Sequence, residues 1–264
     1  MTEWDLIVDA EPGEGSWNMA VDEFLFESIR RETSKTVLRF YAWRRPTASI
    51  GYSQKIDKVV DTSFCNKNGI DIVRRLTGGK LVLHHREVTY SLSSCDLKSF
   101  SPTVSESYKR ISEAMMLGLK KMGLSPILAD KTPQDYIRGH LPCFSRPARD
   151  EVMIAGGKII GSAQKRIGPC FLQHGSIPLE ENEKLLASVS SIAAGSDNLS
   201  MTSLCRAIGK RITFDRAVEM LAEGISEYFE VRLKKRTLSL AEQKSIRKIQ
   251  RERYANPDWT FGGP

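Results

Sequence analysis

Apolar residues recur every three or four positions in several segments of the chain, which is the spacing of an amphipathic helix. The four longest such segments are 16–33, 103–122, 214–229 and 239–254. Two of them begin with a capping box, in which Ser or Thr precedes Glu by three positions: Thr103 with Glu106, and Ser239 with Glu242. The pattern therefore predicts four long helices, two of them with well-defined starts.

Short runs rich in Val, Ile, Thr and aromatic residues predict strands. They include 36–41, 48–52, 70–74, 151–155 and 171–178. The strands come in pairs with short links, so we expect a mixed, largely antiparallel sheet flanked by helices, an α/β fold of the α+β type. The chain lacks G-x-G-x-x-G, which also disfavours a Rossmann fold. Helical patterns dominate after residue 180, so we predict a core of residues 1–180 and a helical C-terminal extension of residues 181–264 packed on it.

A predicted hairpin lies at the centre of this core. The run Glu151–Ala155 is followed by Gly156-Gly157, and Lys158 then opens the second strand. Cys143 stands fifteen positions before Lys158, in a polar loop predicted over 130–149. A thiol with an ordinary pKa near 8.5 needs a nearby cation to be a thiolate at neutral pH. The hairpin permits Lys158 to supply that cation, although most cysteines are simply small buried apolar residues.

The segment Arg74–Ser91 joins two arginines, Gly78-Gly79 and two adjacent histidines. Glycine turns expose N–H donors that can hold an acyl carbonyl or a phosphate. Taken alone, the glycine pair is more typical of an ordinary turn. His84 and His85 point to opposite faces of a strand, so at most one of them reaches a given site, and a lone strand histidine is more often structural.

Charge and cysteine content narrow the possible partners and location. Lys and Arg total 39 against 32 Asp and Glu, a net charge of +7. This favours an acidic protein partner over nucleic acid, because no aromatic residues are interleaved with the basic clusters. The basic C-terminal segment 244–253 is either a solvated face or a docking surface for an acidic carrier. The five scattered cysteines, the acidic N-terminus and the lack of a long apolar run predict a reduced, cytoplasmic protein without a membrane span.

Two Cys–His spacings raise the question of zinc. His140 precedes Cys143 by three residues, and Cys170 precedes His174 by four. Neither spacing matches a standard finger, and residues four apart on a strand stand well separated. We therefore expect no metal site.

Four stretches together resemble the superfamily of lipoate–protein ligase A, octanoyltransferases and biotin ligases. They are GSWNMAVD (15–22), SIGYSQ (49–54), RRLTGGKLVLHHREVTYS (74–91) and GKIIGSAQKRIGPCFLQHGSI (157–177). Cys143-Phe144 before the Gly157-Lys158 hairpin is most similar to the octanoyl-[acyl carrier protein]:protein octanoyltransferases of the Gram-positive type. The resemblance implies a fold like that of class II aminoacyl-tRNA synthetases and biotin ligases.

For the site, the resemblance implies that Cys143 is the nucleophile that forms an acyl-thioester. Lys158 would lower the pKa of Cys143 and orient the acyl carbonyl. The residues that would line the acyl site are Arg74, Arg75, Thr77, Gly78, Gly79, Gly161, Ser162 and Ala163, and His84 matches the histidine of the family motif. The chain departs from the family pattern at two positions: His85 stands where Asp is expected, and Lys80 where Arg or Gly is expected.

The implied reaction moves an octanoyl group from octanoyl-acyl carrier protein to a lysine of a lipoyl-domain protein. Such acceptors include the glycine cleavage H protein and the acyltransferase subunit of a 2-oxoacid dehydrogenase. No cofactor is implied, because the donor is already a thioester. The alternative is an ATP- and Mg²⁺-dependent lipoate–protein ligase, in which Lys158 contacts an acyl-adenylate and Cys143 is incidental. A non-catalytic carrier-binding protein is disfavoured by the presence of both residues.

Overall fold

A computed structural model describes residues 1–32, 35–132, 148–192 and 200–263. The strands are β1 (Thr2–Val8), β2 (Val37–Tyr41), β3 (Thr47–Ile50), β4 (Asp71–Arg74), β5 (Val82–His84), β6 (Glu87–Ser94), β7 (Ile127–Leu128), β8 (Val152–Ile154), β9 (Gly157–Lys158), β10 (Gly161–Ile167), β11 (Cys170–Pro178) and β12 (Val231–Lys235). The helices are α1 (Gly15–Glu32), α2 (Ile56–Val59), α3 (Thr62–Lys67), α4 (Val104–Lys121), α5 (Glu183–Val189), α6 (Leu204–Ile208), α7 (Phe214–Phe229) and α8 (Leu240–Ile249). Two π-helical turns follow, Gln250–Tyr254 and Asp258–Gly262.

The main sheet has six strands in the order β10-β11-β6-β2-β1-β12. The first four are antiparallel to their neighbours, whereas β2, β1 and β12 are parallel. Two smaller sheets have the orders β4-β3-β5 and β7-β8-β9. The predicted mixed, largely antiparallel sheet flanked by helices is confirmed.

Helices cover both faces of the main sheet. On one face, Leu38, Phe40 and Leu92 lie in a buried core with residues of α4 and α7. These two helices cross closely at two glycines, since a Cβ on Gly224 would lie 2.2 Å from the backbone N of Gly118. On the other face, α1 packs against β6 and β11, also contacts β4 of a smaller sheet, and is itself covered by α8.

The predicted helices agree closely with the structure. The segment 103–122 becomes α4, whose N-cap Thr103 accepts from the N–H of Glu106. The capping box of Ser239 and Glu242 is complete at the start of α8. Within the described residues, no helix has the length and apolar character needed to cross a membrane.

The C-terminal part was predicted to be helical, but it also contains a strand, β12. This strand pairs with β1 in parallel, with Thr2 opposite Val231 and Leu6 opposite Lys235. Only Val231 in β12 is buried, and its other residues are half-buried or exposed, so the apolar pattern of the strand is weak. The C-terminal residues therefore complete the main sheet, and the boundary at residue 180 stays a prediction.

The central hairpin forms one residue earlier than predicted. Its turn residues are Ala155 and Gly156, with φ angles of 48° and 81°, and β9 begins at Gly157. Positive φ angles at both central residues are typical of a two-residue type I′ hairpin turn, and a glycine such as Gly156 adopts such an angle without strain. The predicted second strand is also split, because β9 ends at Lys158 and β10 begins at Gly161 in the main sheet.

One expectation about the cysteines was wrong. Cys95 and Cys170 form a disulfide, although we expected all five cysteines to be reduced. They meet because β6 and β11 pair with Ser94 opposite Phe171, which places the next residues, Cys95 and Cys170, side by side. The 75-residue separation hid this neighbourhood in the sequence. Cys65 and Cys205 are free thiols.

Candidate functional site

A pocket opens between the main sheet and the sheet of β3, β4 and β5. Its empty volume is about 390 Å³, including the open mouth. The lining residues come from α1, from the ends of β2 and β6, from β10 and β11, and from the smaller sheet: Met19, Tyr41, Trp43, Ser49, Arg75, Gly79, Val82, His84, Thr89, Gly161, Ser162, Ala163, His174, Gly175 and Ser176.

Six of the nine residues predicted to line the acyl site are found in this pocket. They are Arg75, Gly79, His84, Gly161, Ser162 and Ala163. The glycine turn comes very close to Gly51, the residue after β3, since a Cβ on Gly51 would lie 2.1 Å from the carbonyl oxygen of Gly79. The predicted stretches SIGYSQ and RRLTGG therefore meet through a glycine contact that no larger residue permits.

Arg75 is buried and holds the glycine turn in shape. Its Nη1 donates to the carbonyl of Ser49 at 2.7 Å and to the Ser49 hydroxyl at 2.9 Å. Its Nη2 donates to the carbonyls of Gly78 at 3.0 Å and Lys80 at 2.7 Å. The guanidinium thus bridges β3 and the turn, a geometry that suits its planar fork of donors.

Arg74 does not join the pocket. Its guanidinium donates to the carbonyls of Gly51, Tyr52 and Gln54, and to those of Trp259 and Thr260 in the C-terminal turn. Adjacent residues on a strand point to opposite faces, so only one arginine of the pair reaches the pocket. Through these hydrogen bonds Arg74 links the C-terminal turn Asp258–Gly262 to the loop after β3.

His84 sits in a buried hydrogen-bonded network at the pocket wall. Its Nδ1 lies 2.7 Å from Glu87 Oε1, and its Nε2 lies 2.7 Å from the Ser49 hydroxyl. The ring stacks on Trp43 with centroids 4.0 Å apart. Glu87 also accepts from the hydroxyls of Ser176 and Thr89. His85 is half-buried, and burial lowers the pKa of its ring below the usual range.

A second histidine, His174, was not predicted as a site residue. It lines the pocket, with Nδ1 3.1 Å from Asp22 Oδ2 and Nε2 2.7 Å from the Thr77 hydroxyl. Burial lowers the pKa of His174 below its usual range, and Asp22 opposes that shift. His174 lies in LQHGS (172–176), within a stretch that carries the family resemblance, and that position is the sequence signal for a role at the site.

Asp22 anchors the network from α1. Its carboxylate accepts from Arg39 Nη1 at 2.8 Å, from the Tyr41 hydroxyl at 2.9 Å and from the Ser91 hydroxyl at 2.8 Å. Burial raises the pKa of Asp22, but the bond from His174 and the charge of Arg39 outweigh it and leave the pKa below the usual range. Asp22 is thus held as a carboxylate inside the protein.

Lys158 is fully buried and forms an ion pair with Glu151. The Nζ–Oε1 distance is 2.7 Å, and the other carboxylate oxygen of Glu151 accepts from the N–H of Ala148 at 2.6 Å. Burial raises the pKa of Glu151, while the charges of Lys158 and Lys80 act in the opposite direction. Lys80 directly follows the glycine turn, so this effect shows that the turn lies near the ion pair.

Cys143 and His140 lie outside the described residues, so their predicted roles stay predictions. Among the residues that are described, no group of three or more potential ligands that could hold a metal is found. The other Cys–His pair considered for zinc is Cys170 and His174, and both residues have other partners. Cys170 forms the disulfide, and His174 forms hydrogen bonds with Asp22 and Thr77.

Solved structures of lipoate–protein ligases share this fold. A lipoate-protein ligase A bound with ATP superposes with a TM-score of 0.84 at 22% identity, covering 99% of each chain. A putative lipoate protein ligase from T. acidophilum with bound lipoic acid gives a TM-score of 0.80 at 22% identity, covering 99% of this chain and all of the other. At this identity the likeness defines the fold class and no more.

Sequence comparison defines the family. Residues 14–226 match the lipoyl protein ligase A/B catalytic domain, and the chain belongs to that family. Octanoyltransferase LipM of Carboxydothermus hydrogenoformans is 38% identical over 94% of both chains, and that of Kyrpidia tusciae is 35% identical over 99% of both. The resemblance to the octanoyltransferases and the predicted enzyme class, an acyltransferase, are confirmed.

Proposed function

We propose that the protein transfers an octanoyl group from octanoyl-acyl carrier protein to a lysine of a lipoyl-domain protein, through a thioester on Cys143. The observation that carries the proposal is the pocket between the two sheets. It collects six of the nine predicted acyl-site residues beside a glycine turn that Arg75 keeps in shape. The relatives named octanoyltransferase support the same substrate class.

The chemistry needs two exchanges at one acyl carbon. In the first, the Cys143 thiolate attacks the thioester carbonyl, and the bond from that carbon to the carrier sulfur breaks. The released carrier thiolate takes up a proton. In the second, the amine of the acceptor lysine attacks the enzyme thioester, the bond to Cys143 breaks, and the amine proton passes to the thiolate. The products are an amide and a free thiol, so no other co-reactant is required.

Lys158 is suited to support this reaction as an ammonium. A buried lysine without a counter-charge tends to lose its proton, and the carboxylate of Glu151 at 2.7 Å opposes that loss. The charged lysine in turn favours a nearby thiolate and polarises a nearby carbonyl. Lys158→Ala is therefore expected to slow acylation of the enzyme near neutral pH.

Two features of the protein fit the proposed partners. The net charge of +7 favours encounter with an acidic carrier domain. The pocket lies at the glycine turn, where the proposed donor thioester and the acceptor lysine would have to meet. Acceptors of the proposed kind are lipoyl domains such as the glycine cleavage H protein or the acyltransferase subunit of a 2-oxoacid dehydrogenase.

The competing function is an ATP-dependent lipoate–protein ligase, because the family to which the chain belongs is that of the lipoyl protein ligase A/B catalytic domain. The two functions differ in their donor. Purified protein is incubated with an apo lipoyl domain and either octanoyl-carrier protein without ATP, or free octanoate with ATP and Mg²⁺. We expect transfer in the first mixture, and it should not change on adding a chelator. Transfer in the second mixture alone would establish the ligase instead.

A further inference from the structure

A line of three buried side chains runs from α1 to the glycine turn. Asp22 Oδ2 lies 3.1 Å from His174 Nδ1, and His174 Nε2 lies 2.7 Å from the Thr77 hydroxyl. Asp22 and Thr77 are almost completely buried, and His174 is 7% exposed at the pocket. The line joins three elements that are far apart in sequence: α1, β11 and the segment after β4.

The donors and acceptors in this line have one consistent arrangement. A carboxylate can only accept, so the Nδ1 of His174 carries a hydrogen and donates it to Asp22. In the neutral ring Nε2 is then an acceptor, and the Thr77 hydroxyl donates to it. Burial and the positive charge of Arg75 disfavour a second proton on the ring. Thr77 is thereby held in one rotamer.

The far end of the line is rigid. Asp22 is fixed by Arg39, Tyr41 and Ser91 as well as by His174. Arg39 in turn pairs with Asp9 at 2.6 Å. A carboxylate with four donors from the main sheet has little freedom, so it defines the position of the imidazole.

The arrangement resembles a nucleophile–histidine–carboxylate triad, but Thr77 is not placed to attack a substrate. Its exposed fraction is 0%, and it is absent from the pocket lining, whereas its neighbour Gly79 lines the pocket. The Thr77 carbonyl is also engaged, accepting from the N–H of Tyr52 at 2.9 Å. The hydroxyl bond to His174 therefore acts on the backbone that carries Gly78 and Gly79.

We propose that Asp22 and His174 are positioning residues, which act through the Thr77 hydroxyl to hold the Gly78-Gly79 turn in the conformation that receives the acyl carbonyl. Arg75 holds the turn from the opposite side through the carbonyls of Gly78 and Lys80. The inference rests on the proposed function for its catalytic consequence. A pre-organised turn stabilises charge on a carbonyl oxygen without reorganising during the reaction.

Two variants of His174 separate the two ends of the line. His174→Gln places an amide oxygen near the former Nε2, so it keeps an acceptor for the Thr77 hydroxyl and loses the hydrogen bond to Asp22. His174→Asn keeps a donor for Asp22 and loses the hydrogen bond from Thr77. Thr77→Val removes the hydroxyl at nearly constant shape, and Thr77→Ser keeps it. For each variant, kcat and KM are measured with octanoyl-carrier protein, and amide hydrogen exchange of residues 77–80 is measured without substrate.

We expect His174→Asn and Thr77→Val to lower kcat/KM about 10-fold to 100-fold, mostly through kcat, because small misplacements of a catalytic group have effects of this size. Both should speed exchange in the turn. His174→Gln and Thr77→Ser should recover most of both properties, and combining His174→Asn with Thr77→Val should add little further loss.

The outcomes separate this inference from the proposed function. If the wild-type protein transfers octanoyl groups but the His174 variants are equally impaired, or Thr77→Val stays within twofold, the positioning role is overturned. Unchanged exchange in every variant overturns it as well. If the wild-type protein transfers nothing, the proposed function fails and the catalytic part of the inference fails with it, while the exchange rates still decide whether His174 holds the turn.

Discussion

Lys158 Nζ lies 2.7 Å from Glu151 Oε1, and both side chains are buried. Removing one member of a buried ion pair costs about 3–5 kcal/mol. We expect Glu151→Gln to lower the free energy of unfolding by that amount in urea titrations. The double variant with Lys158→Met should recover part of the loss.

An exposed ion pair provides the control for this prediction. Glu219 pairs with Arg216 on α7, and both are more than half exposed. Such pairs contribute about 0–1 kcal/mol, so Glu219→Gln should have little effect. Equal effects of Glu151→Gln and Glu219→Gln would show that the buried pair does not stabilise the hairpin.

The two adjacent arginines should have separable functions. Arg74 donates to five carbonyls, two of them in the C-terminal turn, and a lysine cannot reproduce that fork. Arg74→Lys should lower stability by about 2 kcal/mol or more and speed proteolysis near residue 259. Arg75→Lys should instead lower kcat/KM at least about 10-fold, because a lysine cannot bond Ser49 and the carbonyls of Gly78 and Lys80 at the same time as the guanidinium does. The reverse assignment of the two losses would contradict the placement of these side chains.

Stability should depend on pH through His174. Its folded pKa lies below the usual value because of burial, so between that pKa and about 6.5 the unfolded chain binds more protons than the folded one. The free energy of unfolding should therefore fall as the pH drops below about 6.5, by up to about 1.4 kcal/mol per pH unit. His85 acts in the same direction, so the comparison is between wild type and His174→Gln. Parallel pH profiles for the two proteins would rule out the neutral buried imidazole.

With the disulfide, the expected stability and thiol reactivity differ from those of a fully reduced protein. Closing a 75-residue loop stabilises the folded state by about 4 kcal/mol in the chain-entropy treatment. Dithiothreitol, or the Cys95→Ser variant, should lower the free energy of unfolding by up to that amount. Thiol titration of the native oxidised protein should miss both residues and be slow at Cys65, where burial raises the pKa to about 11. Rapid labelling of Cys95 and Cys170 without reductant would show that the bond is absent.

The predicted and observed features of the fold differ for identifiable physical reasons. The long helices and the hairpin were predictable because their signals are local: capping boxes, apolar spacing and turn glycines. The strand β12 was not, because its residues are stabilised by parallel pairing with β1, more than 220 residues away in sequence. The disulfide depends on the register of β6 and β11, which no local pattern specifies.

The candidate site shows the same division between local and long-range signals. The motif residues Arg75, Gly79 and Gly161 could be placed at the pocket through the family resemblance of their motifs. The roles of Asp22 and His174 could not, because each depends on a partner brought close by the tertiary fold. The ion pair of Glu151 with Lys158 spans the predicted hairpin, but nothing in the sequence pattern singled out Glu151. The sequence predicted the same role for Arg74 and Arg75. The structure gives them different roles because their side chains point in different directions.

The most direct test of the proposed reaction is intact-protein mass spectrometry after brief incubation with octanoyl-carrier protein, without ATP or acceptor. We expect one octanoyl adduct that hydroxylamine removes, that peptide mapping places on Cys143, and that an apo lipoyl domain discharges onto its lysine. Cys143→Ala should abolish the adduct and the transfer, and Cys143→Ser should nearly do so because an alcohol is far less acidic than a thiol. A stable adduct on Cys65 or Cys205, or transfer that persists in Cys143→Ala, would contradict the account.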